Sequence, residues 1–231
     1  MDTSQQPKER PILFSAPMVR AILDGRKTVT RRPVKGLKTN FPVVAAADGT
    51  PLRTGACWDI GGPILHCPFG KPGERMWVRE TWYCDHDEVM RGPYLKPDDL
   101  DIREARDDGT LIYAADGLTP YEADQPVWKP NIHMPRWACR ILLEITNVRV
   151  ERLQDGEGET PFESRYVAEG IHRIHHGDGE YAFHPFKSEP GPGNWTDPFD
   201  AWRELWVSVN GSDSWNANPW VWVVEFKRVT P

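Results

Sequence analysis

The order of strand-like and helix-like patterns along the chain excludes most architectures. Strand patterns occur at 11–15, 27–32, 74–82, 111–114, about 137–153 and 219–229. Helix patterns occur at 16–24, 160–171 and 198–210. Because strands and helices do not alternate as they do in βαβ units, the sequence predicts an α+β fold around a curled sheet or a small barrel.

Capping residues support the predicted helices. Ser15 is a suitable N-cap for the first helix, and Gly25 stops it. Pro161 suits the first position of the second helix, which ends near Gly170. The third helix opens at Asp197-Pro198 and ends at Gly211. Its predicted apolar stripe is Phe199, Trp202, Leu205, Trp206 and Val209.

The chain length suits one elaborated domain. With 231 residues, the chain is long enough to bury a hydrophobic core. We expect a flexible tail over 1–10 and a single domain over 11–231. Gly- and Pro-rich, acidic or His-rich stretches predict irregular insertions at about 36–70, 84–130 and 172–194.

Composition indicates a folded intracellular protein. Hydrophobic residues make up 39% of the chain and charged residues 27%, which is typical of globular rather than disordered proteins. No apolar run reaches membrane-spanning length, and the first residues lack a signal-peptide core. We therefore expect a cytoplasmic location, no membrane partner, and reduced thiols at the four cysteines.

A basic segment stands out in this acidic chain. Seven basic residues and one acidic residue lie between Arg20 and Lys38, whereas the whole chain has a net charge of −6. Such a local excess of positive charge favours binding of an anion or a nucleic acid. The same segment places the amine of Lys27 three residues before the hydroxyl of Thr30, a pairing that can activate an alcohol as a nucleophile.

Four blocks of the sequence together resemble the ASCH domain family of the PUA-like superfamily. The first reads Ile-Leu-Asp-Gly-Arg-Lys-Thr-Val-Thr-Arg over 22–31, with the family's Gly-x-Lys core after the first helix. Residues 72–78 are similar to its turn into a barrel strand, 168–170 to the end of its second helix, and 221–226 to its closing strand. The layout, with its insertions, resembles the larger ASCH proteins of bacteriophages and prophages, which implies a location in the host cytoplasm.

The resemblance implies a PUA-like small β-barrel with flanking helices and a hydrolytic activity. Small bacterial members of the family are amidohydrolases that deacetylate N4-acetylcytidine with a lysine, a threonine and a glutamate. The matching positions here are Lys27, Thr30 and Glu169. The sequence leaves their order of action open: Thr30 or a water attacks the acyl carbon, while Lys27 and Glu169 move protons or polarise the carbonyl.

The remaining candidate residues are assigned to substrate binding. Arginines suit a phosphate, and tryptophans suit a stacked base. The assigned set is Arg26, Arg31, Arg32, Trp77, Arg79 and Glu80. For Arg79 and Glu80, a cross-strand ion pair is the alternative interpretation. The expected partner is a modified nucleoside or RNA.

Two other functions stay open at this point. One is a non-catalytic module that binds RNA or a modified base, and the other is a ribonuclease using His175 or His176. No metal and no cofactor are expected, because Cys57, His66 and Cys67 lack the regular spacing of a zinc site. Metal binding by these three residues stays open as an alternative.

Overall fold

The protein is an α+β protein in which strands predominate. The computed structural model describes residues 7–37, 56–57, 62–117, 127–155, 164–177 and 179–230. Its strands are β1 (Glu9–Leu13), β2 (Val29–Pro33), β3 (Ala56–Cys57), β4 (Leu65–His66), β5 (Arg75–Arg79), β6 (Trp82–Cys84), β7 (Leu111–Tyr113), β8 (Leu142–Arg152), β9 (His172–His175), β10 (Tyr181–His184) and β11 (Trp220–Val229).

Within the described ranges, five α-helices and three short 3-10 helices accompany the strands. The α-helices are α1 (Ala16–Leu23), α2 (Asp87–Met90), α3 (Ile102–Asp107), α4 (Pro198–Asn210) and α5 (Ser212–Asn216). The 3-10 helices are Ala114–Asp116, Asn131–His133 and Arg136–Ala138. The chain divides into two compact units, the first comprising 1–20, 75–144 and 228–231 and the second 21–74 and 145–227.

In the first unit, β1 pairs in parallel with β5, and β5 pairs antiparallel with the start of β8. Buried Met76 and Val78 alternate with half-buried Trp77 in β5, so one face of the strand lies in the core. Strands β6 and β7 form a separate antiparallel pair, and the buried indole of Trp82 meets Trp137 edge to face at 5.7 Å. This aromatic contact anchors the core of the unit.

In the second unit, β11 lies between β8 and β2 and pairs antiparallel with β2. Strands β9 and β10 form a hairpin. Helix α4 begins after the N-cap Asp197, whose carboxylate accepts the N–H of Phe199, and ends at Gly211. Its buried Trp202 and Trp206 pack inward, as an amphipathic helix requires.

Several predicted elements are confirmed, with shifts of a few residues at their ends. Periodicity and capping residues correctly predicted the positions of helices α1 and α4 and of strand β11. Strand β1 begins at Glu9, inside the expected tail, and the strand predicted over 74–82 is divided into β5 and β6. Val209, assigned to the buried stripe of α4, is 62% exposed.

The helix predicted over 160–171 is wrong in its described part, and 160–163 lie outside the described residues. The backbone over 164–170 instead makes i to i−3 hydrogen bonds from Val167 N to Ser164 O, from Glu169 N to Tyr166 O and from Gly170 N to Val167 O. Gly170 has a φ of +99°, which a right-handed helix excludes. Residues 172–184, predicted as part of an irregular insertion, contain the β9–β10 hairpin.

The described strands form open sheets and pairs, and no closed barrel is found among them. The insertion expected at 84–130 contains α2, α3 and β7. Helix α3 is capped by Asp101, whose carboxylate accepts the N–H groups of Arg103 and Glu104. Over the described ranges, none of the helices has the length and apolar character needed to cross a membrane.

Candidate functional site

The connection from α1 to β2 directs Lys27 into the second unit. Gly25 ends α1 with a φ of +74°, and the N–H of Lys27 then bonds the carbonyl of Ala21 at 2.9 Å. A bridge pairs the backbone of Lys27 with that of Glu169, 142 residues further along the chain. Backbone pairing, rather than side-chain attraction alone, therefore holds these two residues together.

The ammonium of Lys27 is enclosed by three acceptors. Its Nζ lies 2.7 Å from Glu169 Oε2, 2.9 Å from the Glu169 carbonyl and 2.7 Å from the Val29 carbonyl. Lys27 is 3% exposed and Glu169 is 1% exposed. An ammonium has three donors, so these partners satisfy each of them in a site closed to solvent.

Gly170 permits the close approach of the Glu169 segment to Lys27. A Cβ at position 170 would lie 2.8 Å from Ala21 Cβ and 3.3 Å from Lys27 Cβ. The positive φ of Gly170 is a second reason why a side chain fits poorly there. The glycine is thus required by both the space and the backbone conformation of the site.

Arg31 holds the other oxygen of the Glu169 carboxylate. Its Nη1 lies 2.9 Å from Glu169 Oε1, and its Nη2 lies 2.9 Å from Glu151 Oε1. The guanidinium carbon also lies 5.0 Å from the ring centre of Tyr166 and 5.7 Å from that of Trp202. Two carboxylates and two aromatic rings therefore fix the position of this buried cation.

The ionic cluster continues from Glu151 towards the surface. Glu151 Oε2 accepts from Arg149 and from Arg165 at 3.1 Å each, and Arg149 also contacts Glu225. We define the buried ionic cluster as Lys27, Arg31, Arg149, Glu151, Arg165, Glu169 and Glu225. It lies within the second unit and contains one more positive than negative side chain.

Burial and neighbouring charges shift the protonation of the cluster. Burial lowers the pKa of Lys27, and the attraction of Glu169 offsets this only in part. Burial alone would raise the pKa of Glu151, but Arg31, Arg149 and Arg165 together hold it below its usual range. A lysine with a lowered pKa beside a carboxylate is the type of pair that transfers protons in enzymes.

Thr30, which lies between the two cations in sequence, is a buried residue of β2. It is 3% exposed, and its backbone pairs with Val224 of β11. Successive side chains of a strand point to opposite faces, so Thr30 and Arg31 project from opposite sides of β2. Within the described residues, the structure brings Lys27, Arg31 and Glu169 together without a hydrogen bond from the Thr30 hydroxyl to this group.

The two other arginines of the basic segment have different surroundings. Arg26 bonds the carbonyl of Gly170 at 2.7 Å and forms a partly exposed ion pair with Asp24 at 2.9 Å. Arg32 is half-buried and lines a cavity with Trp222. Burial lowers the pKa of Arg32, and Glu169 offsets this in part.

Three predicted substrate-binding residues lie in the first unit. The guanidinium carbon of Arg79 lies 5.1 Å from the ring centre of Trp77, and Arg79 Nε donates to the carbonyl of Met134 at 2.9 Å. Buried Glu80 accepts two hydrogen bonds of 2.9 Å from Arg140, so it belongs to an ion pair. Burial nevertheless raises the pKa of Glu80, although Arg140 acts in the opposite direction.

The cysteines and histidines form no metal-binding cluster within the ranges that the structure describes. Cys57 and Cys67 are both buried thiols. His175, considered above for a ribonuclease, is exposed at the end of β9 and meets the ring of Tyr181 at 5.2 Å. His176 follows it outside the strand.

The sequence alone did not identify the residues that complete the ionic cluster. Arg149 and Glu151 are two positions apart on β8, so alternation places them on one face of the strand. The available signal was a basic and an acidic residue two positions apart on the same strand. Trp202 was expected in the core, but its contact with Arg31 was not.

Comparison of the chain with models of protein families, with curated proteins and with solved structures gives no match.

Proposed function

We propose that the chain is an ASCH-type amidohydrolase of PUA-like fold that removes the acyl group from an N4-acylated cytidine. The observation that carries this proposal is the direct contact between Lys27 Nζ and Glu169 Oε2 at 2.7 Å. These are two of the three residues that the family resemblance selects, and they are distant in sequence. Burial lowers the pKa of Lys27, which favours release of a proton from its ammonium, and the adjacent carboxylate can stabilise the charged form when the proton returns.

The proposed reaction uses Lys27 as a proton shuttle. Its neutral amine takes the proton of the attacking hydroxyl, either that of Thr30 or that of a water, as the oxygen bonds the acyl carbon. The C–N4 bond then breaks, and the Lys27 ammonium returns the proton to the leaving N4 amine. When Thr30 is the nucleophile, a water hydrolyses the resulting ester and releases the carboxylic acid.

Glu169 and Arg31 have supporting roles in this mechanism. The Glu169 carboxylate orients the amine and stabilises the ammonium that forms on proton uptake. Arg31 holds the second carboxylate oxygen at 2.9 Å, so the carboxylate cannot rotate away from Lys27. Because Lys27 already has three protein acceptors, substrate binding must replace at least one of them.

The test is to incubate the purified protein with N4-acetylcytidine, and separately with an RNA containing the same base, and to follow both by mass spectrometry. Lys27→Met keeps the side-chain volume but removes the amine, and we expect it to lower the rate by orders of magnitude. Lys71→Met is its control, since Lys71 is an exposed lysine of the same unit. Circular dichroism checks that each variant is folded.

Thr30→Val distinguishes the two nucleophiles, because it replaces the hydroxyl with a methyl group of similar size. Loss of turnover with a folded variant supports Thr30 as the nucleophile, whereas retained turnover supports attack by water. Thr28→Val is the matched control, since Thr28 is exposed and two residues away. Equal turnover by the wild-type protein and Lys27→Met, or none by the wild type, refutes the amidohydrolase proposal.

A further inference from the structure

A cavity of 680 Å³ lies within the second unit at the end of β2. Its described lining includes Arg32, Lys35, His66, Phe69, Asn210 and Trp222. The volume falls within the range of about 300–1,000 Å³ typical of small-molecule sites. Lys27, Thr30 and Glu169 are not among the described lining residues, so the cavity is a different site from the buried ionic cluster.

The polar groups of the cavity favour an anion. Arg32, Lys35 and His66 are basic, and no acidic residue occurs among its described lining residues. This is unusual in a chain with a net charge of −6. Lys35 and His66 are exposed, so they can meet a ligand without rearrangement of the core.

The apolar groups of the cavity favour a flat ring. Arg32 and Trp222 are directly opposite each other in the pairing of β2 with β11. Half-buried Phe69 supplies a second aromatic side chain, and aliphatic and proline residues complete the described lining. Aromatic side chains next to guanidinium or ammonium groups are the usual means of holding a base and its phosphate together.

The position of Arg32 adds a physical reason to bind an anion. Burial lowers the pKa of its guanidinium, and the attraction of Glu169 compensates for only part of that effect. Glu169 itself is engaged by Lys27 and Arg31. A ligand phosphate in the cavity would supply further negative charge to Arg32.

We propose that this cavity binds a nucleotide, with the phosphate at Arg32 and Lys35 and the base against half-buried Phe69, while buried Trp222 forms part of the cavity wall. The proposal does not depend on the hydrolysis proposed for Lys27. The phosphate can belong to a free mononucleotide or to the end of an RNA strand, since both present the same chemistry. Asn210, at the last residue of α4, supplies an amide that can donate to or accept from the ligand.

Isothermal titration calorimetry of the full-length protein tests the proposal. The probes are cytidine 5′-monophosphate, cytidine, inorganic phosphate and a short 5′-phosphorylated single-stranded RNA. We expect the monophosphate to bind more tightly than cytidine or phosphate alone. Removing a charged contact by Arg32→Gln is expected to weaken its binding about tenfold.

Lys35→Gln is the second test variant, because Lys35 is exposed and we expect the variant to stay folded. We expect it to weaken binding about threefold, with no change in Lys71→Gln, which alters an exposed lysine outside the described lining. Binding of the RNA but not the monophosphate identifies a strand end as the ligand. No binding of either below about 1 mM, or equal losses in Lys35→Gln and Lys71→Gln, overturns the proposal.

Discussion

Neutralising Glu169 tests whether the buried ionic cluster stabilises the fold through its charges. Glu169→Gln keeps the shape of the side chain but removes the negative charge that Lys27 and Arg31 share at 2.7 and 2.9 Å. The side chains of all three residues are at most 2% exposed, so water cannot replace the lost partner. Removing one partner of a buried pair typically costs about 3–5 kcal/mol.

Two features of the site place the expected loss near the lower end of that range. The amide oxygen of the glutamine still accepts one hydrogen bond, and Arg31 keeps its contact with Glu151 at 2.9 Å. We therefore expect Glu169→Gln to reduce the free energy of unfolding by about 3 kcal/mol at neutral pH.

Urea unfolding followed by circular dichroism measures this loss. The control is Asp24→Asn, which neutralises the partly exposed ion pair of Asp24 with Arg26 and should cost less than about 1 kcal/mol. A double-mutant cycle of Glu169→Gln with Lys27→Met should show that the two losses are less than additive. If Glu169→Gln costs no more than Asp24→Asn, the charges of the cluster do not stabilise the fold and the reasoning fails.

Three further predictions concern the stability of the second unit. Gly170→Ala should lower the free energy of unfolding in urea by about 2–4 kcal/mol, because the new Cβ clashes with Ala21 and the positive φ is unfavourable for alanine. Gly25→Ala has open space around its Cβ and should lower the free energy of unfolding by about 1 kcal/mol. The pKa of Lys27 is lower in the folded protein than its ordinary value of 10.5, so between these two pKa values the unfolded chain binds more protons than the folded one. The stability of the wild type relative to Lys27→Met should therefore rise as the pH increases through this interval. Burial likewise lowers the pKa of His184 below 6.5, and its Nδ1 accepts two backbone N–H groups. The contribution of neutral His184 to the free energy of unfolding should therefore be lost as the pH falls from 6.5 through the native pKa. His184→Gln should remove this pH dependence.

Elements with a clear period and caps could be predicted from the sequence. Helix α4 combines an N-cap at Asp197, a proline at its first position and a glycine after its end, so local chemistry specifies both ends. Strand β11 has a nearly continuous apolar run, with Val221, Trp222, Val223 and Val224 buried. Such a run indicates a strand covered on both faces, and no tertiary information is needed to locate it.

The segment around Glu169 could not be predicted in the same way. Its pattern suits a helix, but the N–H groups of Thr28 and Val29 both bond the carbonyl of Ala168, at 2.9 and 3.1 Å. Together with the Lys27–Glu169 bridge, these contacts draw the segment into pairing with a distant part of the chain. Tertiary backbone pairing therefore overrides local propensity, which a single sequence does not reveal.

The candidate site was predicted only in part, for a related reason. The pairing of Lys27 with Glu169 came from a family resemblance, since no periodicity connects positions 142 residues apart. The partner of Arg31 in β8, Glu151, was missed because alternation shows which residues share a face but not what lies opposite that face. Thr30 was predicted to act with Lys27 because the two are close in sequence, but its position next to Arg31 on β2 places these two side chains on opposite faces of the strand.

The basic segment is not a single positive surface, and this changes where an anion can bind. Arg26 is held by Asp24 and a backbone carbonyl, while Lys27 and Arg31 are buried against carboxylates. Those three cations already have acceptors, so their charge is largely compensated within the protein. Arg32 and Lys35 line a cavity whose described residues include no acid. The number of basic residues in the segment therefore overstates the charge that Arg26, Lys27 and Arg31 can offer to a ligand, and among the described residues we place the proposed anion site at the end of β2.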